Sequence, residues 1–492
     1  MTSYYLPDIY TWIKNLPPIH QWSHTNPISL TICSPSLALS ATQNQNPTSI
    51  TFTITANLHL PIALWTSSPT KPNQETLAQL FSDVIHGVIR YGPNKNLSFL
   101  RRPQTIRFDD GFQDGFNYAF GTLLFLVCLY EAPEGRLRSE CLNALAAAGL
   151  VGGSGSRKDA AVMVMRAVGS NVEERWMRAV NLAVTNWAMT EKPAKMRVPT
   201  FSYAVSASGL WKVQLWSPVV AMDIESPNGG GGGPPPPPPD ERLRFSLAYQ
   251  QLEGVVQLGY KVVVRENWID VVVSVDNVRC DVSPLASNKL MAKRGSGAEE
   301  KHFPSSISIE LTPIVQYDIL SVSVSKSSDN PEREIGHETG IEGSFEPPGP
   351  YIGLHVSASE TVTLSMKPWK FEQSVHGYSA CLNWLLHDGA NGREVVSSRP
   401  SRVSLFLRPK AWFRDRYSSV YRPFTKRGGV IFARDEYGES VRWKVCGQAR
   451  GRRMEWEIRG KVWVTYWPNK HRTFYSETRR MQFREILYLT LP

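Results

Sequence analysis

The sequence predicts an α+β fold, in which a helical N-terminal module with a hairpin is followed by a mainly antiparallel C-terminal module of the β-sandwich or barrel-like type. Two changes along the chain support this prediction. Apolar side chains recur every three to four positions between about residues 74 and 192, as on one face of a helix, and every second position after about residue 200, as in a strand. The 492 residues also exceed what one hydrophobic core usually serves, which favours two modules.

The predicted N-terminal module spans residues 1–197 and combines a hairpin with helices. Residues 28–32 and 50–55 alternate apolar and hydroxyl side chains around a polar turn, which predicts a hairpin within about residues 28–65. The first helix of the region at about residues 74–192 carries an apolar stripe formed by Leu77, Leu80, Phe81, Val84, Ile85 and Val88. In an alternative arrangement the hairpin joins the later sheet, and the two modules merge into one body.

The predicted C-terminal module spans residues 198–492 and consists of short alternating segments. Residues 261–264 and 269–273 flank a short turn and predict a β-hairpin. Further segments of this kind lie at residues 307–311, 320–324, 362–364 and 403–407. A series of strands with turn signals between them is typical of an antiparallel sandwich.

Three stretches of the C-terminal module are predicted loops, at residues 226–241, 284–304 and 326–350. The first contains five glycines and then six prolines, which form a flexible segment followed by a stiff polyproline II segment. Strand-like sequence at residues 213–224 and 243–249 flanks this loop, so we expect it to join two strands of one sheet. The prolines Pro234–Pro239 are also a candidate site for a polyproline-binding protein, which would make the chain an adaptor.

The sequence indicates an intracellular protein, cytoplasmic or nuclear, rather than a secreted one. The first residues lack the basic start and apolar run of a secretory signal. The longest apolar stretch, residues 118–130, is shorter than the roughly 20 residues that cross a bilayer, so a buried helix is predicted there and no transmembrane segment. The six cysteines are scattered without a C-x-x-C pair, which favours reduced thiols over disulfides or a zinc site. No metal or cofactor is expected.

The nearest approach to a catalytic motif is the segment GYSAC at residues 377–381. It resembles the G-x-S-x-G nucleophile elbow, in which a strained strand-to-helix turn exposes a serine, and it makes Ser379 the candidate nucleophile of a serine hydrolase. Cys381 stands where the elbow has its second glycine, and a side chain there would crowd the turn. Asp388 and His471 could act as acid and base, but the alternating strands and helices of α/β-hydrolases do not follow. The sequence therefore favours a protein that is not an enzyme.

A glycine-rich segment, GGSGSRK at residues 152–158, precedes a predicted helix. Such a loop can hold a phosphate on its backbone amides. Its glycine spacing matches neither known phosphate-binding motif, however, and the segment before it is predicted to be helical where both motifs follow a strand. A connector between two helices is the favoured interpretation.

The excess positive charge lies in the last 85 residues. Residues 408–492 contain 20 Lys and Arg against 8 Asp and Glu, a balance of +12, whereas the rest contains 34 against 36, a balance of −2. Aromatic side chains interleave with the basic ones, which suits a phosphate-bearing partner, either membrane lipid or nucleic acid. The candidate contacts are Arg414, Arg416, Arg422, Lys426, Arg427, Arg452 and Arg453. In a second interpretation, segments such as 441–445 are half-buried strands whose rings face the core and whose charges face water.

Three segments are similar to a plant protein family that has no assigned activity. They read PDIYTWIKNLPP, YRPFTKRGGVIFARDEYGE and MEWEIRGKVWVTYWPNKHRTFYSETRRMQFREILYLTLP. The resemblance spans most of the chain outside the Gly/Pro loop; it implies a plant source and nothing about mechanism. From the residues themselves we expect a non-enzymatic interaction or scaffold protein whose basic, aromatic C-terminal surface binds an anionic partner.

Overall fold

The computed structural model describes most residues of the chain. These are residues 7–22, 27–33, 37–44, 49–57, 60–71, 76–93, 111–133, 135–147, 155–191, 201–225, 238, 240–293, 300–325, 327, 334–341, 358–365, 369–386, 425, 428–433, 439–466 and 475–492. They form α-helices and antiparallel sheets, so the α+β class predicted from the sequence is confirmed.

The described N-terminal part contains six α-helices and a four-stranded sheet. The helices are α1 (Ile9–Lys14), α2 (Thr76–Arg90), α3 (Phe112–Tyr130), α4 (Arg136–Ala147), α5 (Gly155–Val168) and α6 (Ser170–Glu191). The strands are β1 (Ile28–Cys33), β2 (Leu37–Gln43), β3 (Ile50–Asn57) and β4 (Pro61–Thr66), paired in chain order. The predicted helical region is therefore present, and α2 buries five of its six predicted stripe residues, all except Leu77.

The predicted hairpin within residues 28–65 is a four-stranded antiparallel sheet instead. The first and third strands do not pair with each other, because β2 lies between them and hydrogen-bonds to both. Residues 37–41 of β2 are buried on both faces, so this strand shows no apolar–polar alternation. A search for alternation therefore overlooks it.

Helix α3 forms the centre of the N-terminal core. The ring of Phe116 packs against Phe81 of α2 at a centroid distance of 6.2 Å, and that of Phe120 packs against Trp65 of β4 at 6.1 Å. Because protein surrounds α3, its apolar side chains continue around most of the helix. It is the one described helix whose length and composition would suit a membrane span, and most of it is buried inside the protein.

The described C-terminal part contains two large sheets. Its strands are β5 (Phe201–Ala207), β6 (Leu210–Pro218), β7 (Asp223–Glu225), β8 (Gln250–Val264), β9 (Trp268–Pro284), β10 (Phe303–Pro313), β11 (Ile319–Val324), β12 (Glu334–Ile341), β13 (Ala358–Ser365), β14 (Trp369–His376), β15 (Ser379–Leu386), β16 (Val430–Ala433), β17 (Ser440–Cys446), β18 (Arg453–Tyr466) and β19 (Glu477–Thr490). One sheet has the order β14-β15-β10-β18-β19-β7, and the other has the order β11-β17-β9-β8-β6-β5 with β16 also paired to β9. Strands β12 and β13 form a separate pair.

The two large sheets share one hydrophobic core. Trp211 of the seven-stranded sheet contacts Trp456 of the six-stranded sheet at a ring-centroid distance of 5.5 Å, and Trp384 stacks on Phe432 across the same core at 5.6 Å. Neither sheet closes on itself among the described strands, because each has two edge strands. The predicted hairpin at residues 261–273 is confirmed as the β8–β9 pair, whose strands are longer than their alternating segments.

The segment after the Gly/Pro loop is a helix, not the predicted strand. Helix α7 (Glu241–Ala248) begins at Asp240, whose carboxylate accepts a hydrogen bond from the Arg242 amide at 2.9 Å. Leu243 and Leu247 are buried one helical turn apart, and this four-residue spacing also fits every second position of a strand. The loop therefore leads from β7 of the six-stranded sheet through a helix to β8 of the seven-stranded sheet, rather than joining two strands of one sheet.

The other two predicted loops also contain regular structure. Helix α8 (Asn288–Lys293) lies within residues 284–304, and β12 lies within residues 326–350. The predicted module boundary at residues 197 and 198 lies outside the described residues and stays a prediction.

Helix α6 packs against the outer face of the seven-stranded sheet. Arg178 forms an ion pair with Glu253 at 2.8 Å, and Asn181 donates a hydrogen bond to Gln251 at 2.8 Å. The rings of Tyr203 and Trp216 belong to the same apolar cluster as the N-terminal helices. Polar and apolar contacts thus connect the helical part directly to the β part.

Candidate interaction surface

The seven predicted basic contact residues are only partly described. Arg414, Arg416, Arg422, Lys426 and Arg427 lie outside the described residues. Arg452 and Arg453 are described, and both are exposed where the chain enters β18. In β17, Trp443 is buried in the core while Arg442 and Lys444 face solvent, which agrees with the interpretation of residues 441–445 as a half-buried strand.

Arg452 and Arg453 belong to one end of the β part, which we name the turn face. The turn face consists of residues 264–268, 314–320, 377–378, 447–453 and 488–492. Backbone hydrogen bonds link its connections: the Cys446 amide donates to the Asp318 carbonyl at 2.7 Å, and the Gly451 amide donates to the Leu491 carbonyl at 3.1 Å. These bonds fix the connections to one another and to the strands, so the turn face is an ordered surface.

Large apolar side chains are concentrated on the turn face. Tyr317 is 80% exposed and Ile314 is 46% exposed in the connection from β10 to β11, and Leu320, the second residue of β11, is 56% exposed. Ten large apolar side chains are exposed among the described residues, and six of them belong to the turn face. Besides Tyr317, Leu320 and Ile314, these are Val264, Tyr378 and Tyr488. Single exposed apolar residues are normal on a protein surface, but such a concentration at one end indicates an interaction site.

Four arginines accompany these apolar side chains. Arg265 pairs with Asp270 at 3.3 Å and Arg452 with Asp318 at 3.6 Å, and more than half of each arginine side chain is exposed. Arg450 donates instead to the backbone carbonyl of Arg265 at 2.8 Å. The two acidic partners are nearly buried, whereas the guanidinium groups reach the surface.

The fourth arginine, Arg453, lies over an aromatic ring. Its guanidinium carbon is 3.9 Å from the ring centroid of Tyr488, a cation–π arrangement. Neither Arg450 nor Arg453 has a carboxylate within 4 Å among the described residues. Within the described part of the chain, these two guanidinium groups thus have no ion partner, and they lie beside exposed apolar side chains.

Ser379 is the first residue of β15, directly after the β14–β15 turn. Gly377 takes the left-handed conformation in this turn, with φ +59°, and the Ser379 hydroxyl shares a hydrogen bond with the Thr312 hydroxyl at 2.7 Å. The turn joins two strands, so the strand-to-helix geometry of a nucleophile elbow is not formed at Ser379. Asp388 and His471, its candidate partners, lie outside the described residues.

Two other sequence candidates are largely outside the described residues. Gly152–Ser154 are not described, and α5 begins at Gly155. Of Pro234–Pro239, only Pro238 is described. No group of three or more His, Cys, Asp and Glu side chains that could hold a metal ion occurs in the part of the chain that the structure describes.

A polar cleft of about 550 Å³ lies between β4 and α2 and was not predicted. Asp83 accepts a hydrogen bond from the Ser68 amide at 3.0 Å, and His86 donates from Nδ1 to the Ser82 carbonyl at 2.8 Å. This bond leaves Nε2 as the acceptor of a neutral His86 ring. The bond to Asp83 links the segment after β4 to α2, whereas the bond of His86 lies within α2 itself.

A buried polar network lies at the end of the β part opposite the turn face. His302 is fully buried, with Nδ1 3.0 Å from the Gln250 side-chain oxygen and Nε2 3.3 Å from a Glu477 carboxylate oxygen. Glu477 also accepts hydrogen bonds from Tyr475 and Arg479. His302 falls within a predicted loop, and nothing in the local sequence distinguished it.

Similarity to known proteins is very weak. No protein-family model matches the chain, and no curated protein matches it either. Among solved structures, Clostridium perfringens delta-toxin is 9% identical with a TM-score of 0.19, over 60% of this chain and 96% of that chain. The Clostridium perfringens NetB toxin in its membrane-inserted form is 9% identical with a TM-score of 0.16, over 59% and 98% of the two chains. A third structure, titled "Pore forming protein", is 8% identical with a TM-score of 0.15, over 60% and 98%. TM-scores this low carry no argument about fold or function.

Proposed function

We propose that the protein is a non-enzymatic binding protein that holds an anionic partner on the turn face. The proposal rests on two exposed arginines, Arg450 and Arg453. Neither guanidinium group has a carboxylate partner among the described residues. Both are held in place, Arg450 by the Arg265 carbonyl and Arg453 by the Tyr488 ring.

The electrostatics of the turn face support an anionic partner. An arginine that is already paired gains less from a second anion than one whose charge is uncompensated. The carbonyl and the ring orient the guanidinium groups without neutralising them, so each keeps its donors and its charge for a ligand. The paired arginines Arg265 and Arg452 add donors to the same surface.

Neutralising the two uncompensated arginines should weaken binding to polyanions. Because each cation near an anionic surface contributes about 1 kcal/mol, the double variant Arg450→Gln/Arg453→Gln should lose about 2 kcal/mol, or roughly 30-fold in affinity. The measurement is retention of the full chain on immobilised heparin as a function of salt, where the variant should elute at lower salt and show a shallower salt dependence.

The matched control removes the same two charges elsewhere. Arg459 and Lys461 are exposed on the outer face of the six-stranded sheet, and Arg459 is already paired with Glu457 at 2.6 Å. The variant Arg459→Gln/Lys461→Gln should elute close to the wild type. An equal shift in both variants would show that net charge rather than the turn face governs binding, and a wild-type chain that passes heparin unretained at low salt would refute the proposed function.

A further inference from the structure

We propose that the anionic partner is the surface of a lipid bilayer and that Tyr317, Leu320 and Ile314 insert into its interfacial layer. This inference rests on the proposed function, because it names the partner of the same turn face. It adds a second contribution to binding, the burial of apolar side chains, which is independent of charge.

The chemistry of the exposed side chains distinguishes a bilayer from a nucleic acid. Tyrosine and arginine could stack on bases, but leucine, isoleucine and valine offer nothing that reads a base or a phosphate. A bilayer interface accommodates both sets, since aliphatic groups reach the acyl boundary while tyrosine rings and guanidinium groups remain at the level of the headgroups. Leu320, Ile314 and Val264 therefore favour a lipid partner.

The position of these side chains also suits a membrane surface. Tyr317 and Ile314 lie in the chain connection where β10 of one sheet leads to β11 of the other, so they lie at the end of the β part rather than on a sheet face. The described cleft lies elsewhere, between β4 and α2. A flat, deformable partner can meet several such connections at once, whereas a folded protein partner would have to be complementary in shape to all of them.

The order of the turn face reduces the entropic cost of insertion. The Ile314 amide donates to the Glu455 carbonyl at 2.9 Å, and the Ile319 amide donates to the Gln316 carbonyl at 3.0 Å, so the connection that carries Tyr317 is held at both ends. Binding then requires little additional ordering of the backbone.

The test compares apolar variants on two probes. Wild-type chain is incubated with vesicles of phosphatidylcholine alone and with vesicles that contain a quarter phosphatidylserine, and in parallel with immobilised heparin. We expect binding to the phosphatidylserine vesicles only. The variant Tyr317→Ser/Leu320→Ser should bind these vesicles at least tenfold more weakly and should be retained on heparin like the wild type, because it loses the apolar contribution and keeps every charge.

The matched control removes equally exposed apolar side chains from another part of the molecule. Leu60, which is 78% exposed, precedes β4, and Ile62, which is 42% exposed, is the second residue of that strand. The variant Leu60→Ser/Ile62→Ser should bind vesicles and heparin as the wild type does. An unchanged vesicle affinity in Tyr317→Ser/Leu320→Ser, or an equal loss in the control, would overturn insertion by the turn face.

The two probes separate failure of this inference from failure of the proposed function. Retention on heparin without vesicle binding would overturn the lipid partner and leave the proposed function standing. Failure on both probes would overturn both. A third probe, single-stranded RNA, tests the other class of anionic partner. RNA binding that weakens in Tyr317→Ser/Leu320→Ser, without vesicle binding, would overturn the lipid partner and identify nucleic acid instead.

Discussion

A Gly460→Ala substitution should destabilise the protein by about 1–3 kcal/mol, and Gly460→Val by more. Gly460 lies on the core side of β18, directly opposite Phe483 of β19. A Cβ atom on residue 460 would lie 2.1 Å from two carbons of the Phe483 ring, a distance that no pair of unbonded carbons adopts. The ring is nearly buried among the core residues, so it cannot move aside without disturbing them.

The measurement is the midpoint of denaturant unfolding, with Gly259→Ala as the matched control. Gly259 is also inside a long strand, β8, but a Cβ there would meet only the Ser274 hydroxyl at an ordinary 3.5 Å. The control should change stability little, because alanine fits and restricts the unfolded chain. In a Phe483→Ala background the cost of Gly460→Ala should fall by at least about 1 kcal/mol, since the clashing ring is gone. Equal costs in both backgrounds would contradict this explanation.

Replacing His302 by glutamine should lower the free energy of unfolding by about 2–4 kcal/mol near neutral pH. The His302 ring is fully buried and lies between Gln250 and Glu477, so the substitution removes a ring contact and a hydrogen bond to a buried carboxylate. Glu477 would keep Arg479 as its ion partner, which limits the loss.

The same histidine should make stability depend on pH. A neutral imidazole can donate to only one of the two oxygens it faces, so Glu477 favours the protonated ring, whereas complete burial disfavours it. Burial is the larger effect and lowers the pKa of His302, with Arg479 acting in the same direction. Glu300 and Tyr466 lie at the same end, where the Tyr466 hydroxyl donates a hydrogen bond to the Glu300 carboxylate at 2.8 Å. Because the unfolded chain binds the His302 proton more readily, stability should fall as pH decreases through the unfolded-state pKa of 6.5.

A second loss should follow at lower pH from Glu477. Burial alone would raise the pKa of Glu477, but the hydrogen bond from His302 and the charge and hydrogen bond of Arg479 lower it well below its usual range. Its contribution is therefore present above the unfolded-state pKa of 4.5 and is lost as pH falls below it. The losses from His302 and Glu477 thus have the same sign and occur in successive pH windows.

Unfolding midpoints at about pH 7.5 and about pH 5.5 test the contribution of His302. The wild type should lose stability between these values, and His302→Gln should lose less, because its residue 302 does not titrate. His376, which is exposed in β14, supplies the control His376→Gln, and this variant should follow the wild type. Parallel pH profiles for wild type and His302→Gln would show that other groups dominate the acid response.

The sequence predicted those elements whose burial is one-sided. The stripe of α2 and the alternation of β17 each follow from one apolar face and one solvated face, and both elements are present. Strand β2 has no such asymmetry, because residues 37–41 are buried throughout. In α7, two leucines four positions apart fit either period, and only the tertiary contacts of Leu243 and Leu247 with Tyr466 decide between helix and strand.

The turn face was harder to predict from the sequence than the fold. Arg452 and Arg453 were candidates because residues 450–453 include three arginines. Tyr317 and Leu320 were not candidates, although the sequence has these large apolar residues in and beside a turn. Periodicity shows which side chains face inward along one strand, but it does not show which turns of distant strands meet at one end of two sheets. That convergence depends on the strand order.

The position of β19 in its sheet has a consequence for biosynthesis. This strand is translated after every other strand of the six-stranded sheet, yet it lies inside the sheet, between β18 and β7. A nascent chain therefore presents the unpaired edge of β18, with its apolar side chains, until β19 leaves the ribosome. Such edges favour aggregation and chaperone binding. Substitutions that delay the pairing of β19 should consequently reduce the yield of folded protein more than the stability of the molecules that have folded.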